Sequence, residues 1–177
     1  MTLDEKLKRV RVLVLDCDGV MTGAELIYDQ HGDDQHVFNA RDGHGIVLLR
    51  KVGGLKVALI TGRKSTSVVK RVTELRFDHI VEMAWKKGSA LRALCSENGY
   101  DLADVCYVGD DINDIGAVRI AGVGVAVADA APELVERAAW VTKHAGGKGA
   151  VREVCEAILQ AQGKWTQILA DFESDGA

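Results

Sequence analysis

Val10-Arg11-Val12-Leu13-Val14-Leu15-Asp16-Cys17-Asp18-Gly19-Val20 is the first apolar run of the chain, and it stops at two aspartates and a glycine. A short run of branched aliphatic residues ended by a glycine-containing turn reads as a buried strand of the kind found inside a parallel sheet. Five further runs occur along the 177 residues, at 56–60, 79–82, 105–108, 123–127 and 140–142. Between them lie helical patterns at 46–52, 65–75, 89–98, 112–120 and 132–137, with 150–162 closing the fold. In the last of these Val151, Val154, Ile158 and Ala161 recur at helical spacing, a core-facing stripe. Strands alternating with helices predict an α/β fold, a Rossmann-like and mostly parallel sheet with helices on both faces. One segment breaks the alternation: 25–30 and 35–40 read as two strands around the turn at 31–34, a β-hairpin flap after the first strand over about residues 24–40.

Composition narrows the choice of partner. With 47% hydrophobic residues the chain can bury one core, so residues 1–170 read as a single domain and 171–177 as a frayed tail. A net charge of −4 without a basic block argues against a nucleic-acid or anionic-membrane surface and favours a small dissolved substrate. The first nine residues lack the apolar stretch of a secretory signal, and no segment approaches membrane-spanning length, so a cytoplasmic location is expected. Cys17, Cys95, Cys106 and Cys155 stand far apart without C-x-x-C spacing, which fits reduced, packed thiols.

Ligands of a parallel sheet bind beyond the carboxyl ends of its strands. Those ends read Leu15-Asp16-Cys17-Asp18-Gly19, Ile60-Thr61-Gly62-Arg63 and Val108-Gly109-Asp110-Asp111-Ile112-Asn113-Asp114. Crowded carboxylates repel unless a cation neutralises them. An all-oxygen donor set suits Mg²⁺, with Asp16, Asp18 and Asp110 as candidate ligands. A carboxylate nucleophile splits the slow hydrolysis of a phosphate monoester into two displacements. Asp16 can attack phosphorus, while Asp18 can protonate the departing oxygen and later deprotonate water. Thr61, main-chain N–H groups and Lys87 would hold the phosphoryl oxygens, with Lys86 in that role if the register slips by one.

In order and spacing, Asp16-x-Asp18, Thr61, Lys87 and Gly109-Asp110-x-x-x-Asp114 resemble the motifs of the haloacid dehalogenase superfamily of phosphatases, over nearly the whole chain. The resemblance implies Asp16 as nucleophile, Asp18 as acid and base, Thr61 and Lys87 on phosphate, and Asp110 on Mg²⁺ together with the main-chain carbonyl of Asp18. It also implies supporting roles for Asp114, toward Lys87 or the metal waters, and for Asp111. Both gaps in which members insert a cap are short here, so no cap domain is expected.

Phe38-Asn39-Ala40-Arg41-Asp42-Gly43, Thr61-Gly62-Arg63-Lys64 and Ala145-Gly146-Gly147-Lys148-Gly149-Ala150 resemble a capless branch acting on 3-deoxy-D-manno-octulosonate 8-phosphate in lipopolysaccharide precursor synthesis. That likeness implies a homotetramer, with Arg41, Arg63 and Lys148 holding the substrate's carboxylate or hydroxyls. Three alternatives stand beside it. A sister branch takes nonulosonate 9-phosphates, and tends to carry Glu where this chain has Arg63. A non-catalytic module partnering a nucleotide-sugar synthetase would not need both Asp16 and Asp18. A signalling receiver would need an acceptor Asp after the third strand, where Met83 stands. Of the histidines, His31 and His36 read as solvated hairpin residues, and His44 and His144 as open to substrate contact. Residues 146–149 read as a loop before the last helix, lacking the full phosphate-loop pattern.

Overall fold

A computed structural model describes residues 1–32 and 34–175; Asp33 of the expected hairpin turn and Gly176 and Ala177 of the expected tail lie outside the described residues. In chain order the elements begin with α1 (Leu3–Arg9), β1 (Val12–Leu15), β2 (Ile27–Tyr28), β3 (Asp34–Gln35), α2 (Ala40–Lys51) and β4 (Lys56–Ile60). They continue with α3 (Thr66–Glu74), β5 (His79–Val81), α4 (Lys87–Asn98), β6 (Val105–Gly109) and α5 (Ile115–Ile120). The chain then forms β7 (Val123–Ala126), α6 (Pro132–Val135), β8 (Trp140–Val141), α7 (Ala150–Ala161) and α8 (Trp165–Glu173).

Six strands form one parallel sheet in the order β5-β4-β1-β6-β7-β8. From β1 the sheet grows outward through β4 to β5, then resumes on the other side of β1 with β6. This reversal opens a crevice at the carboxyl end of β1. Alternate side chains of the central strand serve two cores. Leu13 and Leu15 pack with residues of α1, α2, α3 and α7, whereas Val12 and Val14 pack with residues of α4, α5 and α6. Helices therefore cover both faces, as the alternating pattern predicts, and no cap domain interrupts the described chain. The four cysteines are buried and unbonded.

Several boundaries differ from the sequence expectation. Helix α2 begins at Ala40, not at residue 46, because the Asn39 carboxamide accepts from the N–H groups of Arg41 and Asp42 and caps it. Gly43 and Gly45, poor helix formers, concealed its first turns. The hairpin is correspondingly short, Ile27 pairing with Gln35 and Tyr28 with Asp34. The stretch 112–120 divides into a 3₁₀ turn at Ile112–Asp114 followed by α5.

Helix α8 runs to Glu173 and so takes in 171–173 of the stretch expected to fray. Trp165, Ile168 and Phe172 recur at helical spacing: Ile168 is buried, the Arg152 guanidinium lies 5.4 Å over the Trp165 ring, and Phe172 meets His44 edge-on. At the other end α1 is fixed by a capping box between Thr2 and Glu5. No helix among the described residues is long and apolar enough to cross a membrane.

Candidate active site

Because β4, β1 and β6 are neighbours, the residues that come after them meet at one edge. Strands sit about 4.8 Å apart, so Thr61, Asp16 and Asp110 lie side by side. The ladder continues past the strands to fix them: Asp16 N–H donates to the Val108 carbonyl (3.0 Å) and Thr61 N–H to the Val81 carbonyl (2.9 Å).

Lys87 starts α4 and is 1% exposed. Its ammonium is 2.8 Å from Asp16 Oδ1 and 2.8 Å from Asp114 Oδ1. Asp114 is fully buried and fully partnered. Tyr107 donates its hydroxyl to Oδ1 at 2.6 Å, and Oδ2 accepts from the N–H groups of Asp110 (3.1 Å) and Asp111 (3.3 Å). Asp114 thus orients both Lys87 and the backbone that presents Asp110. Lys86 is exposed, which removes the one-residue slip.

Carboxylate oxygens of Asp16, Asp110 and Asp114 lie within 4.8 Å of one another, close enough to share one ion. Burial and the neighbouring Asp114 charge push Asp16 well above the usual carboxylate range, against the pull of Lys87. Burial and Asp114 likewise raise Asp110 to about 7. Burial pulls Lys87 down, but Asp16 and Asp114 outweigh it and hold the ammonium protonated. One cation therefore faces three carboxylates, a donor set of hard oxygens with an excess of negative charge that suits a divalent metal.

Glycines bring the loops close enough for this. Gly19 has φ of +83°, and a Cβ there would sit 2.0 Å from Asp110 Oδ2. A Cβ on Gly146 would lie 1.7 Å from the Gly19 carbonyl oxygen. The loop before α7 is therefore tied to the nucleophile loop: Gly147 N–H donates to the Val20 carbonyl, and Gly146 N–H to Asp129. Asp42 completes the brace by accepting from Gly149 N–H (3.3 Å) and Arg152 N–H (2.8 Å) at the start of α7.

Not every expected residue joins the cluster. The Asp18 carboxylate lies outside that group of three, although Asp18 lines the same cleft as Asp16, Thr61 and Lys87. Its Oδ1 is 3.2 Å from His36 Nε2 and its Oδ2 4.0 Å from Arg63 Nε. The expectation of a solvated His36 is corrected as well, since its side chain is only 2% exposed, whereas His31 is exposed as expected. Asp111 accepts from Ile112 N–H and caps its own turn, at the rim of the cleft.

Of the three basic candidates, Arg63 lines the cleft of about 250 Å³ that holds Asp16, Thr61 and Lys87. Arg41 and Lys148 line a separate cavity of about 840 Å³ with His144 and Arg152. His144 is paired there with Glu153, and His44 lines neither space. Trp85 forms part of the catalytic cleft at 73% exposure, a residue that sequence reading passed over. No periodicity marks it, because it lies in the irregular stretch between β5 and α4.

A six-stranded parallel sheet with this acidic strand-end cluster and its buried lysine defines a hydrolase class: the chain belongs to the haloacid dehalogenase-like hydrolases, whose family model matches residues 77–154. Within that class it is 41% identical to the 3-deoxy-D-manno-octulosonate 8-phosphate phosphatase KdsC of Escherichia coli strain K12 over 159 residues, 90% of this chain and 84% of that protein. KdsC of Yersinia pestis is 38% identical over 90% of this chain and 85% of its own. The crystal structure of the Moraxella catarrhalis 3-deoxy-D-manno-octulosonate 8-phosphate phosphatase, in complex with magnesium, phosphate and KDO, superposes with a TM-score of 0.93 at 36% identity, covering 96% of this chain and 97% of that one. The cobalt-bound Haemophilus influenzae deoxy-D-mannose-octulosonate 8-phosphate phosphatase gives a TM-score of 0.87 at 35% identity, over 91% and 94% of the two chains.

Proposed function

We infer that the protein is a magnesium-dependent phosphatase that hydrolyses 3-deoxy-D-manno-octulosonate 8-phosphate to 3-deoxy-D-manno-octulosonate and phosphate through an aspartyl-phosphate on Asp16. The observation that carries the reading is the Asp16 carboxylate at the end of β1, paired with buried Lys87 beside Asp110 and Thr61. Likeness to the octulosonate phosphatases over nine-tenths of the chain supplies the substrate.

Asp16 and Asp110, with the main-chain carbonyl of Asp18, would hold Mg²⁺, which neutralises phosphoryl charge when bound. Thr61 and Lys87 face the same space and bind phosphoryl oxygens. Asp16 Oδ2, the oxygen not paired with Lys87, attacks phosphorus in line with the sugar oxygen. Asp18 gives that oxygen a proton, then takes one from the water that opens the acyl phosphate. Arg63 and Trp85, at the outer part of the cleft, meet the sugar acid.

Phosphate release from the eight-carbon 8-phosphate beside nonulosonate 9-phosphates tests the substrate. Faster turnover of the eight-carbon compound is expected; preference for the nine-carbon ones would overturn the choice. Gly19→Ala should push Asp110 aside and lower turnover about 10²-fold, the scale of an ångström-level misplacement, with an unchanged far-UV spectrum.

Metal dependence follows from Asp110. Its folded pKa of about 7 lies above its ordinary value of 3.8, so its contribution favours the folded, metal-free protein below that ordinary value and is lost as pH rises toward 7. Metal competes with the proton, so the Mg²⁺-induced rise in melting temperature should be larger at pH 8 than at pH 6. Calorimetry at both values checks this, and an equal rise would contradict it.

The assembly proposed is a cytoplasmic homotetramer. Leu26, Ile27, Tyr28 and Val37 are exposed on and beside the hairpin, an apolar surface suited to burial between subunits. A neighbouring subunit would also be needed to bring Arg41 and Lys148 to a substrate, since in one chain they face another cavity. Sedimentation equilibrium reads the stoichiometry directly.

A further inference from the structure

We propose that His36 is a positioning residue for the proton-transferring carboxylate of Asp18, an inference that rests on the phosphatase reading above. Its ring is carried by the segment that leaves the hairpin, yet its side chain is 2% exposed. Nε2 lies 3.2 Å from Asp18 Oδ1, and Nδ1 lies 2.7 Å from Ser67 Oγ in the first turn of α3. The Phe38 ring stacks on it at 5.9 Å and 18°. A carboxylate only accepts hydrogen bonds, so Nε2 carries a ring proton toward Asp18, while Nδ1 shares its bond with the Ser67 hydroxyl.

The other oxygen of Asp18 faces Arg63, whose guanidinium is held by Asp34 of β3 at 3.1 Å. Asp18 is thus held on one oxygen by a ring the hairpin segment carries and faced on the other, at 4.0 Å, by a guanidinium the hairpin restrains. The three side chains Cys17, Asp18 and His36 could be mistaken for a metal site. Cys17 is fully buried among apolar core residues, and Asp18 and His36 already meet directly. Orientation is the remaining use of the ring: it fixes the direction from which Asp18 delivers a proton to the departing oxygen.

A leaving-group comparison separates this role from a merely structural one. A sugar alkoxide needs a proton as it leaves; 4-nitrophenolate does not. In single-turnover experiments with Mg²⁺, His36→Phe keeps the stack on Phe38 but loses both hydrogen bonds. It should slow release of the sugar about 10- to 100-fold, within what a general acid supplies, and leave the 4-nitrophenolate burst unchanged. His36→Gln, which offers an amide N–H toward Asp18, should recover most of the sugar rate. If the phenylalanine variant does not fold, His36→Asn, whose shorter amide falls short of Asp18, should show the same selective loss.

Equal slowing of both leaving groups, or slowing of neither, overturns the proposal. Asp18→Asn measured in parallel tells the two levels apart. If that variant shows the leaving-group dependence and the His36 variants do not, only the role of His36 falls. If it shows none, the acid role of Asp18 falls with it.

Discussion

Asp16→Asn is expected to abolish turnover, lowering phosphate release by on the order of 10⁴- to 10⁶-fold, as removal of a covalent nucleophile does elsewhere. The amide has no oxygen able to attack phosphorus, and its geometry otherwise copies the carboxylate. The fold should survive. Burial and the Asp114 charge already disfavour ionised Asp16, so the folded-state pKa is raised and ionisation at neutral pH costs stability in the metal-free protein. A neutral isostere removes that cost while Lys87 keeps its 2.8 Å contact with Asp114. The metal-free melting temperature of the variant should therefore equal or exceed that of the parent at pH 7, whereas its response to Mg²⁺ should shrink. Substantial residual turnover would remove Asp16 as the nucleophile.

Lys87→Met should damage both activity and folding. Lys87 is 1% exposed and is the ammonium that offsets Asp16 and Asp114. Its removal leaves buried carboxylates without their counter-charge, a defect that costs about 3–5 kcal/mol. Loss of a phosphoryl-stabilising charge lowers turnover by about 10²- to 10³-fold. Urea denaturation and phosphate release read the two effects separately. Mg²⁺ should return part of the stability, because it also neutralises the cluster, but little of the rate. Lys87→Arg is expected to rescue poorly, since a branched guanidinium must enter a space closed around a linear side chain and satisfy more donors there. Full stability in the methionine variant without metal would contradict the charge balance described for the site.

Much of this site was legible because strand ends are legible. A buried strand announces itself by four or five apolar residues, and the residues just after Leu15, Ile60 and Gly109 must lie at the carboxyl edge of a parallel sheet. Asp16, Thr61 and Asp110 were placed in that way. Adjacency of β4, β1 and β6 came only with the structure, as did the burial of Cys17 in the core that holds Leu13 and Leu15. Lys87 was distinguished from Lys86 only by burial, which depends on where α4 starts.

Side-chain docking across long sequence separations left no periodic trace. His36 meets Ser67 on α3 and Asp18 after β1, and neither contact leaves a pattern within its own segment. For the same reason the contact of the Asp18 carboxylate with the segment after the hairpin could not be read from the sequence. Asp42, inside a glycine-spaced stretch, caps a helix more than a hundred residues later, so its pairing with Gly149 and Arg152 needed the tertiary structure. Helix α1 escaped because it is short and mostly charged, and α8 because its three anchoring side chains come after the break at Gly163.

The covalent step is open to direct observation. Asp18→Asn should still accept the phosphoryl group but release it slowly. Incubated with Mg²⁺ and 4-nitrophenyl phosphate, whose leaving group needs no proton, quenched in acid and digested, it should yield a peptide carrying Asp16 heavier by one phosphoryl group. The added mass should be lost to hydroxylamine. An unmodified Asp16 peptide under conditions where the parent enzyme turns over, or a phosphoryl group found on another residue, would contradict Asp16 as the nucleophile.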